Sequence, residues 1–231
     1  MADGAGPNSV DRAGSDRAGS DASSGGTASR PRPGYPVVLD LTGRRCLVVG
    51  GGPVAARRAE GIVAAGGTVT VVAPRVTAAL DEHPGITVER RTYRAGEAAR
   101  YDLVVTATGD VGVDRSVVDD ATAAGVLAAG AVASAPGTIL LPAVHRDGPV
   151  TVAVSTGGSS PALARWLLRR ATDALPSRMA TIASLLEEVR QALRATGRAT
   201  DSIDWPAVLD QVVPLAEAGR IDEARAILDR L

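Results

Sequence analysis

Between residues 45 and 129, short apolar runs alternate with segments whose apolar residues recur every three or four positions. The runs 45–50, 68–73, 86–90, 102–107 and 126–129 are rich in Val, Leu, Ile, Ala and Thr, which predicts strands. Asp102-Leu103-Val104-Val105-Thr106-Ala107 is almost continuously apolar, the pattern of a parallel strand covered on both faces. Helices are predicted over 53–65 and 113–124, with a short one over 77–81. Gly66-Gly67 and Gly125 end the two longer ones. Such regular alternation is satisfied most economically by an α/β fold, a Rossmann-like parallel sheet wound on both faces.

Beyond residue 136 the pattern changes. Two apolar stretches, 138–144 and 149–155, flank His145-Arg146-Asp147-Gly148, which predicts an antiparallel pair with those four residues as its turn. Helical spacing follows over 160–173 and 177–195, including Leu163, Leu167, Leu168, Ile182, Leu185, Leu186, Val189 and Leu193. A final helical pair is expected over 205–217 and 220–230. Residues 1–33 are rich in Gly, Ser, Asp, Arg and Ala and repeat Asp-Arg-Ala-Gly-Ser at 11–15 and 16–20. They offer too little apolar surface to offset the entropy of ordering, so a disordered tail is expected. The domain plan is therefore a tail over 1–33, a Rossmann-like domain over 34–136, a small α+β domain over 137–175 and a helical region over 176–231.

Composition narrows the chemistry. The chain is 45% hydrophobic yet 2% aromatic and has no Phe, so its core must be built from closely packed Val, Leu, Ile and Ala. Twenty-five basic residues against 26 acidic ones leave a formal charge of -1, with no global field to attract nucleic acid or an anionic membrane. The single cysteine, Cys46, excludes an intrachain disulfide and falls in the first strand, where it is expected to be buried and inert. With two histidines, ligands for a zinc site are scarce, and no metal site is expected. No run reaches the ~18–20 apolar residues of a membrane span, and no signal-like apolar core opens the chain. A soluble, cytoplasmic protein is the expectation.

Candidate chemistry begins at Cys46-Leu47-Val48-Val49-Gly50-Gly51-Gly52-Pro53-Val54-Ala55. Gly50, Gly52 and Ala55 have the G-x-G-x-x-G/A spacing of a dinucleotide fingerprint: a sharp strand exit, room for a pyrophosphate against bare backbone, and close helix packing. The phosphates would lie over the unpaired N–H groups of the helix start, where Pro53 needs none. An ordinary NAD site carries Asp or Glu near the end of the second strand, but here the sequence is Ala73-Pro74-Arg75. Either backbone groups hold the ribose, or Arg75 favours a 2′-phosphate and hence NADP, or Arg75 is a solvated loop cation. Ser160 and Pro161 have the form of a helix N-cap and first residue. The Gly157-Gly158-Ser159 loop before them is then suited either to an anion or to ordinary capping. Asp110 follows the fourth strand on the ligand-binding side of such sheets, and could take part in chemistry or cap the next helix. The apolar faces of the C-terminal helices favour packing on a second copy.

Several separated segments resemble one family. They are 48–58, Val104-Val105-Thr106-Ala107-Thr108, Leu141-Pro142-Ala143 and, most distinctively, Val152-Ala153-Val154-Ser155-Thr156-Gly157-Gly158-Ser159-Ser160-Pro161-Ala162-Leu163-Ala164-Arg165. Together, over roughly residues 36 to 196, they are similar to the precorrin-2 dehydrogenase and sirohydrochlorin ferrochelatase family, the N-terminal module of siroheme synthase. The resemblance implies an NAD-binding domain, a small domain that makes a homodimer, and a helical region. It also implies oxidation of the tetrapyrrole precorrin-2 to sirohydrochlorin with hydride transfer to NAD. The dinucleotide is expected at Gly50, Gly52, Pro53 and Val54, with Ala73, Pro74 and Thr108 on the neighbouring strand ends. Ser155, Thr156, Gly157, Gly158, Ser159, Ser160 and Arg165 would meet the substrate's carboxylates.

The chain also departs from the family pattern. Ala-Thr-Asp-Asp with a following Val-Asn becomes Ala107-Thr108-Gly109-Asp110 and Val113-Asp114, and the family's Asn-x-x-Asp, which carries the proposed catalytic carboxylate, falls on Ala131 and Ser134. Serine is no carboxylate base. Dehydrogenation, which can rely on positioning, is therefore expected ahead of ferrous-iron chelation, which must remove two pyrrole protons. Asp110 and Ser134 are the catalytic candidates. His145, in the expected turn, is read as solvated. The alternatives are a related enzyme acting on another small substrate and a non-catalytic dinucleotide- or tetrapyrrole-binding module.

Overall fold

A computed structural model describes residues 34–130, 137–198, 201 and 203–231. The expected tail 1–33, together with Ala131 and Ser134, lies outside the described residues. Strands β1 (Arg45–Val49), β2 (Thr68–Val72), β3 (Ile86–Glu89), β4 (Leu103–Thr106) and β5 (Leu127–Ala129) form one parallel sheet in the order β3-β2-β1-β4-β5. The central strand shows why the apolar runs are unbroken. Its residues Cys46 to Val49 are all at most 2% exposed, because both faces are covered.

Alternate side chains of β1 enter two separate cores, as the two-residue period of a strand requires. Cys46 and Val48 pack with Val69, Val71 and Val105 under Ala55, Ala56, Ala59 and Ile62 of α1 (Pro53–Val63) and Leu80 of α2 (Ala78–Asp81). Leu47 and Val49 pack with Val72 and Val104 under Val117, Val118 and Ala121 of α3 (Val111–Ala123). The small alanines of α1 allow the close approach expected of a core without Phe. Burial, with the Asp102 carboxylate nearby, pushes the Cys46 thiol up to about 11, so the cysteine is inert as expected.

The crossover from β3 to β4 contains a short 3-10 turn, Glu97–Arg100, that the periodicity did not reveal. Polar groups fix it. Arg91 bridges Glu89 and Glu97, while Tyr93 Oη and Gly96 N both donate to Asp120 Oδ2 of α3, at 2.9 and 2.7 Å. Residues 137–139 then dock on β5. Ile139 N donates to Ala128 O at 3.0 Å, and Thr138 Oγ1 accepts from Ala128 N at 2.9 Å.

That docking corrects the expected strand pair. Thr138 and Ile139 are engaged with β5, and Pro142 offers no N–H to a ladder, so β6 begins later, at Ala143–Asp147. It pairs antiparallel with β7 (Val150–Val154) through a two-residue turn, Gly148-Pro149, with Gly148 at φ +55°. His145 is therefore not in the turn. It lies within β6, opposite Val152, and is exposed. Helices α4 (Pro161–Asp173), α5 (Met179–Ala195), α6 (Trp205–Glu217) and α7 (Ile221–Leu228) follow close to their expected positions. Leu185, Val208, Val212, Ala224 and Leu228 make a third core among α5, α6 and α7. Asp147 Oδ2 accepts from Ala180 N at 3.1 Å, tying the hairpin to the start of α5. Among the described residues no helix is long and apolar enough to cross a membrane.

The Arg91–Glu97 pair gives a pH prediction. Burial alone pushes the Glu97 carboxyl up, but the Arg91 guanidinium and the Arg94 N–H outweigh it and hold it below its ordinary 4.5. A carboxylate depressed on folding adds stability above its unfolded value and loses it as pH falls through the folded one. Urea melts should therefore show wild type more stable than Glu97→Gln near neutrality, with the gap closing below about pH 4.5.

Candidate functional site

The carboxyl ends of β1 and β4 flank the point at which the strand order reverses, and three loops converge on this edge of the sheet. The loop after β1 is held on both sides by main chain. Gly50 has φ +129°, and a Cβ there would stand 2.3 Å from Ala107 O beyond β4. A Cβ on Gly51 would stand 1.9 Å from Arg75 O beyond β2, and Gly51 O accepts from Thr77 N at 2.9 Å. Glycine at both positions lets three backbone segments touch.

Gly52 is different. A Cβ there would meet nothing within 4 Å, so the space in front of it is open. It is the N-cap of α1, with Pro53 first in the helix, no side chain capping the end and no acidic residue in the first turn. The first N–H groups of α1 therefore face an unfilled region at the positive end of the helix dipole. Behind them Ala55 is fully buried against the sheet, while Val54 is 41% exposed at the mouth. This cradle fits a diphosphate. At the end of β2, Ala73 is buried, whereas Pro74 and Arg75 are exposed.

On the β4 side, Thr108, Asp110 and Asp114 form one hydrogen-bonded group. Asp110 is the N-cap of α3, its Oδ1 accepting from Gly112 N at 2.8 Å and Val113 N at 3.1 Å. Asp114 is fully buried. Its Oδ1 accepts from Thr108 Oγ1 at 2.7 Å and Thr108 N at 3.2 Å, and its Oδ2 is buried with no hydrogen-bond partner. Sequence reasoning assigned no role to Gly51 or Asp114. Three consecutive glycines were the available signal for the first. A carboxylate among the apolar positions of a helix was the signal for the second.

The segment 155–160 is built separately, between β7 and α4. Thr156 Oγ1 accepts from Ser160 N at 3.1 Å, and Ser155 Oγ accepts from Gly157 N at 3.2 Å. Gly157 and Gly158 take φ of +63° and +86°, which bends the loop back on itself. Ser160 Oγ caps α4 by accepting from Leu163 N at 3.2 Å. Arg165 projects exposed from the first turns of α4. Thus the structure gathers Gly50, Gly52, Pro53, Val54, Ala73, Pro74, Thr108 and Asp110 at one sheet edge, and Ser155 to Ser160 with Arg165 at a second, self-closed loop. Among the described residues no three His, Cys, Asp or Glu side chains are grouped to hold a metal ion.

Comparison with known proteins agrees with this division. Residues 37–143 match an NAD(P)-binding family model, and residues 147–170 match one for the central part of sirohaem biosynthesis proteins. The siroheme synthase of Nitrosococcus oceani is 35% identical over 202 residues, covering 84% of this chain and 43% of that protein. Siroheme synthase 1 of Halorhodospira halophila is 37% identical over 176 residues, 74% of this chain and 36% of the relative. The chain thus spans less than half the length of these relatives. Among solved structures, SirC, a precorrin-2 dehydrogenase, aligns with a TM-score of 0.66 and 26% identity, over 85% of this chain and 100% of that one.

The two glycine environments separate experimentally. Gly51→Ala forces backbone apart and should lower the melting temperature by several degrees. Gly52→Ala enters open space from an ordinary φ of -85° and should leave the melting temperature nearly unchanged in calorimetry.

Proposed function

The chain belongs to the precorrin-2 dehydrogenase family of siroheme synthesis, and from this we propose that it oxidises precorrin-2 to sirohydrochlorin with NAD as the acceptor. The observation that carries this reading is the uncapped amino end of α1 behind Gly52, open on the ligand-binding edge of a parallel sheet. Gly50, Gly52, Pro53 and Val54 would hold the pyrophosphate, with Ala73 and Pro74 towards the adenosine and Thr108 across the switch point. Asp114 would act on the site by fixing Thr108. Bound NAD supplies an acceptor for the hydride that the substrate must lose.

The protein's own groups would position the tetrapyrrole and take up its proton. Ser155 to Ser160 and Arg165 offer hydroxyl, N–H and guanidinium donors to carboxylates. Asp110 spends one oxygen on the helix cap and leaves the other for a proton. Ser134 enters this proposal through the resemblance alone. Anaerobic incubation with enzymatically made precorrin-2 and NAD should yield reduced cofactor and sirohydrochlorin in equal amounts. No turnover, with dinucleotide still bound, would refute the dehydrogenase reading. Asp110→Asn keeps a good cap, so it should fold normally and lower kcat by about a hundredfold or more with little change in KM.

A homodimer is part of the same proposal. Leu140, Leu141, Val144, Leu163, Trp166 and Leu167 are large apolar residues left at least 37% exposed within 28 consecutive positions spanning β6 and α4. Burying such a surface against a second copy would remove a marked apolar area from water. Light scattering should report a dimer for wild type and a monomer for Trp166→Glu.

A further inference from the structure

We infer that Arg58 of α1 is a substrate-binding residue, whose guanidinium meets a carboxylate of the tetrapyrrole. The inference rests on the dehydrogenase reading above and deepens it. Ala55, Ala59 and Ile62 turn α1 onto the sheet, and Val63 lies on the β3 side, its Cγ1 3.1 Å from the place that a Cβ on Gly85 would take. The helical period then puts Arg58 and Val54 on the opposite flank, towards β4. Side chains of a helix lean towards its amino end, which aims Arg58 along Val54 at the mouth of the crevice. The chain also leaves the sheet on this side. Ile139, docked on β5, packs against the same core as α1, and the hairpin that carries Ser155 to Ser160 follows it.

The charge there has no partner. Arg58 is half-buried, and among the described residues it makes no hydrogen bond or ion pair. Burial, and then the neighbouring Arg57, hold its pKa below the usual guanidinium value. No acid shares its flank. Glu60, the one carboxylate of α1, is exposed on the solvent side, Asp81 and Glu82 belong to α2 and its cap beyond Val63, and residues 131–139 contain no acid. Across the crevice Asp110 and Asp114 bond main chain and Thr108. A guanidinium drawn partly out of water with no acceptor destabilises the fold, and a bound carboxylate supplies that acceptor. The dinucleotide already has donors of its own, because its diphosphate meets the first N–H groups of α1 and its adenosine turns towards β2. The tetrapyrrole is the ligand that brings carboxylates to the β4 side.

Anaerobic titration of the full chain with NAD and with sirohydrochlorin, the product that keeps the substrate's carboxylates, tests this on wild type, Arg58→Gln and Arg58→Lys, with melting temperatures from calorimetry. Arg58→Gln should weaken sirohydrochlorin about tenfold or more, raise the KM for precorrin-2 by a similar factor and leave NAD within about threefold. Arg58→Lys should recover part of the loss, since it keeps the charge without the paired donors. The melting temperature of Arg58→Gln should not fall, because the change removes an unpaired charge and breaks no bond. Unchanged sirohydrochlorin binding would overturn the inference. So would NAD weakened as much as sirohydrochlorin, which assigns Arg58 to the diphosphate, or melting several degrees lower, which makes the residue structural. Wild type that binds sirohydrochlorin through Arg58 but does not oxidise precorrin-2 would refute the dehydrogenase reading alone. Wild type that binds no tetrapyrrole would overturn both.

Discussion

Main chain packed directly on main chain at Gly50 and Gly51 is the constraint on which the rest of this molecule depends. The two residues bring the turn after β1 against the Ala107 carbonyl on one side and the Arg75 carbonyl on the other. No side chain fits in either gap. The contact fixes the heights at which β2 and β4 end relative to β1, and therefore where the loops that follow them begin. It also aims α1 so that its first N–H groups open at the edge of the sheet instead of into a neighbour. The crevice is thus a product of backbone geometry, and the side chains around it can vary while the cradle stays the same.

The surroundings of that cradle divide polar work sharply. On the β4 side the exposed Asp110 closes a helix end with one oxygen, and the buried Asp114 grips Thr108. On the β2 side Arg75 stands exposed and makes no ion pair with a described residue. The buried carboxylate is kept for shaping the protein, and the exposed cation is left to meet a ligand. This suits a site whose cofactor and proposed substrate are both anionic. The second polar loop, before α4, satisfies most of its internal hydrogen bonds itself, so its shape does not wait for a ligand.

Much of this was legible in the sequence, for identifiable reasons. Strands buried on both faces leave unbroken apolar runs, and Gly66, Gly125 and Asp204 punctuate the helices as their backbone preferences dictate. The glycine spacing pointed to the cradle. It could not rank three adjacent glycines, because the partners of Gly51 arrive from 24 residues away. The start of β6 was misplaced because Thr138 and Ile139 have strand-like character and are claimed by β5, a tertiary choice that local pattern does not encode. The place of Asp114 on the apolar stripe of α3 was a sign that cut both ways, since a carboxylate ordinarily argues for exposure.

The scarcity of aromatic residues gives the molecule an optical asymmetry. Its two tryptophans, Trp166 in α4 and Trp205 at the start of α6, both lie beyond the parallel sheet. Intrinsic tryptophan emission therefore reports on the C-terminal elements alone, while a reduced nicotinamide, emitting at longer wavelength, would report on the sheet. The two halves of the chain carry separate colours, and the order in which they loosen under denaturant can be followed in one cuvette without adding a label.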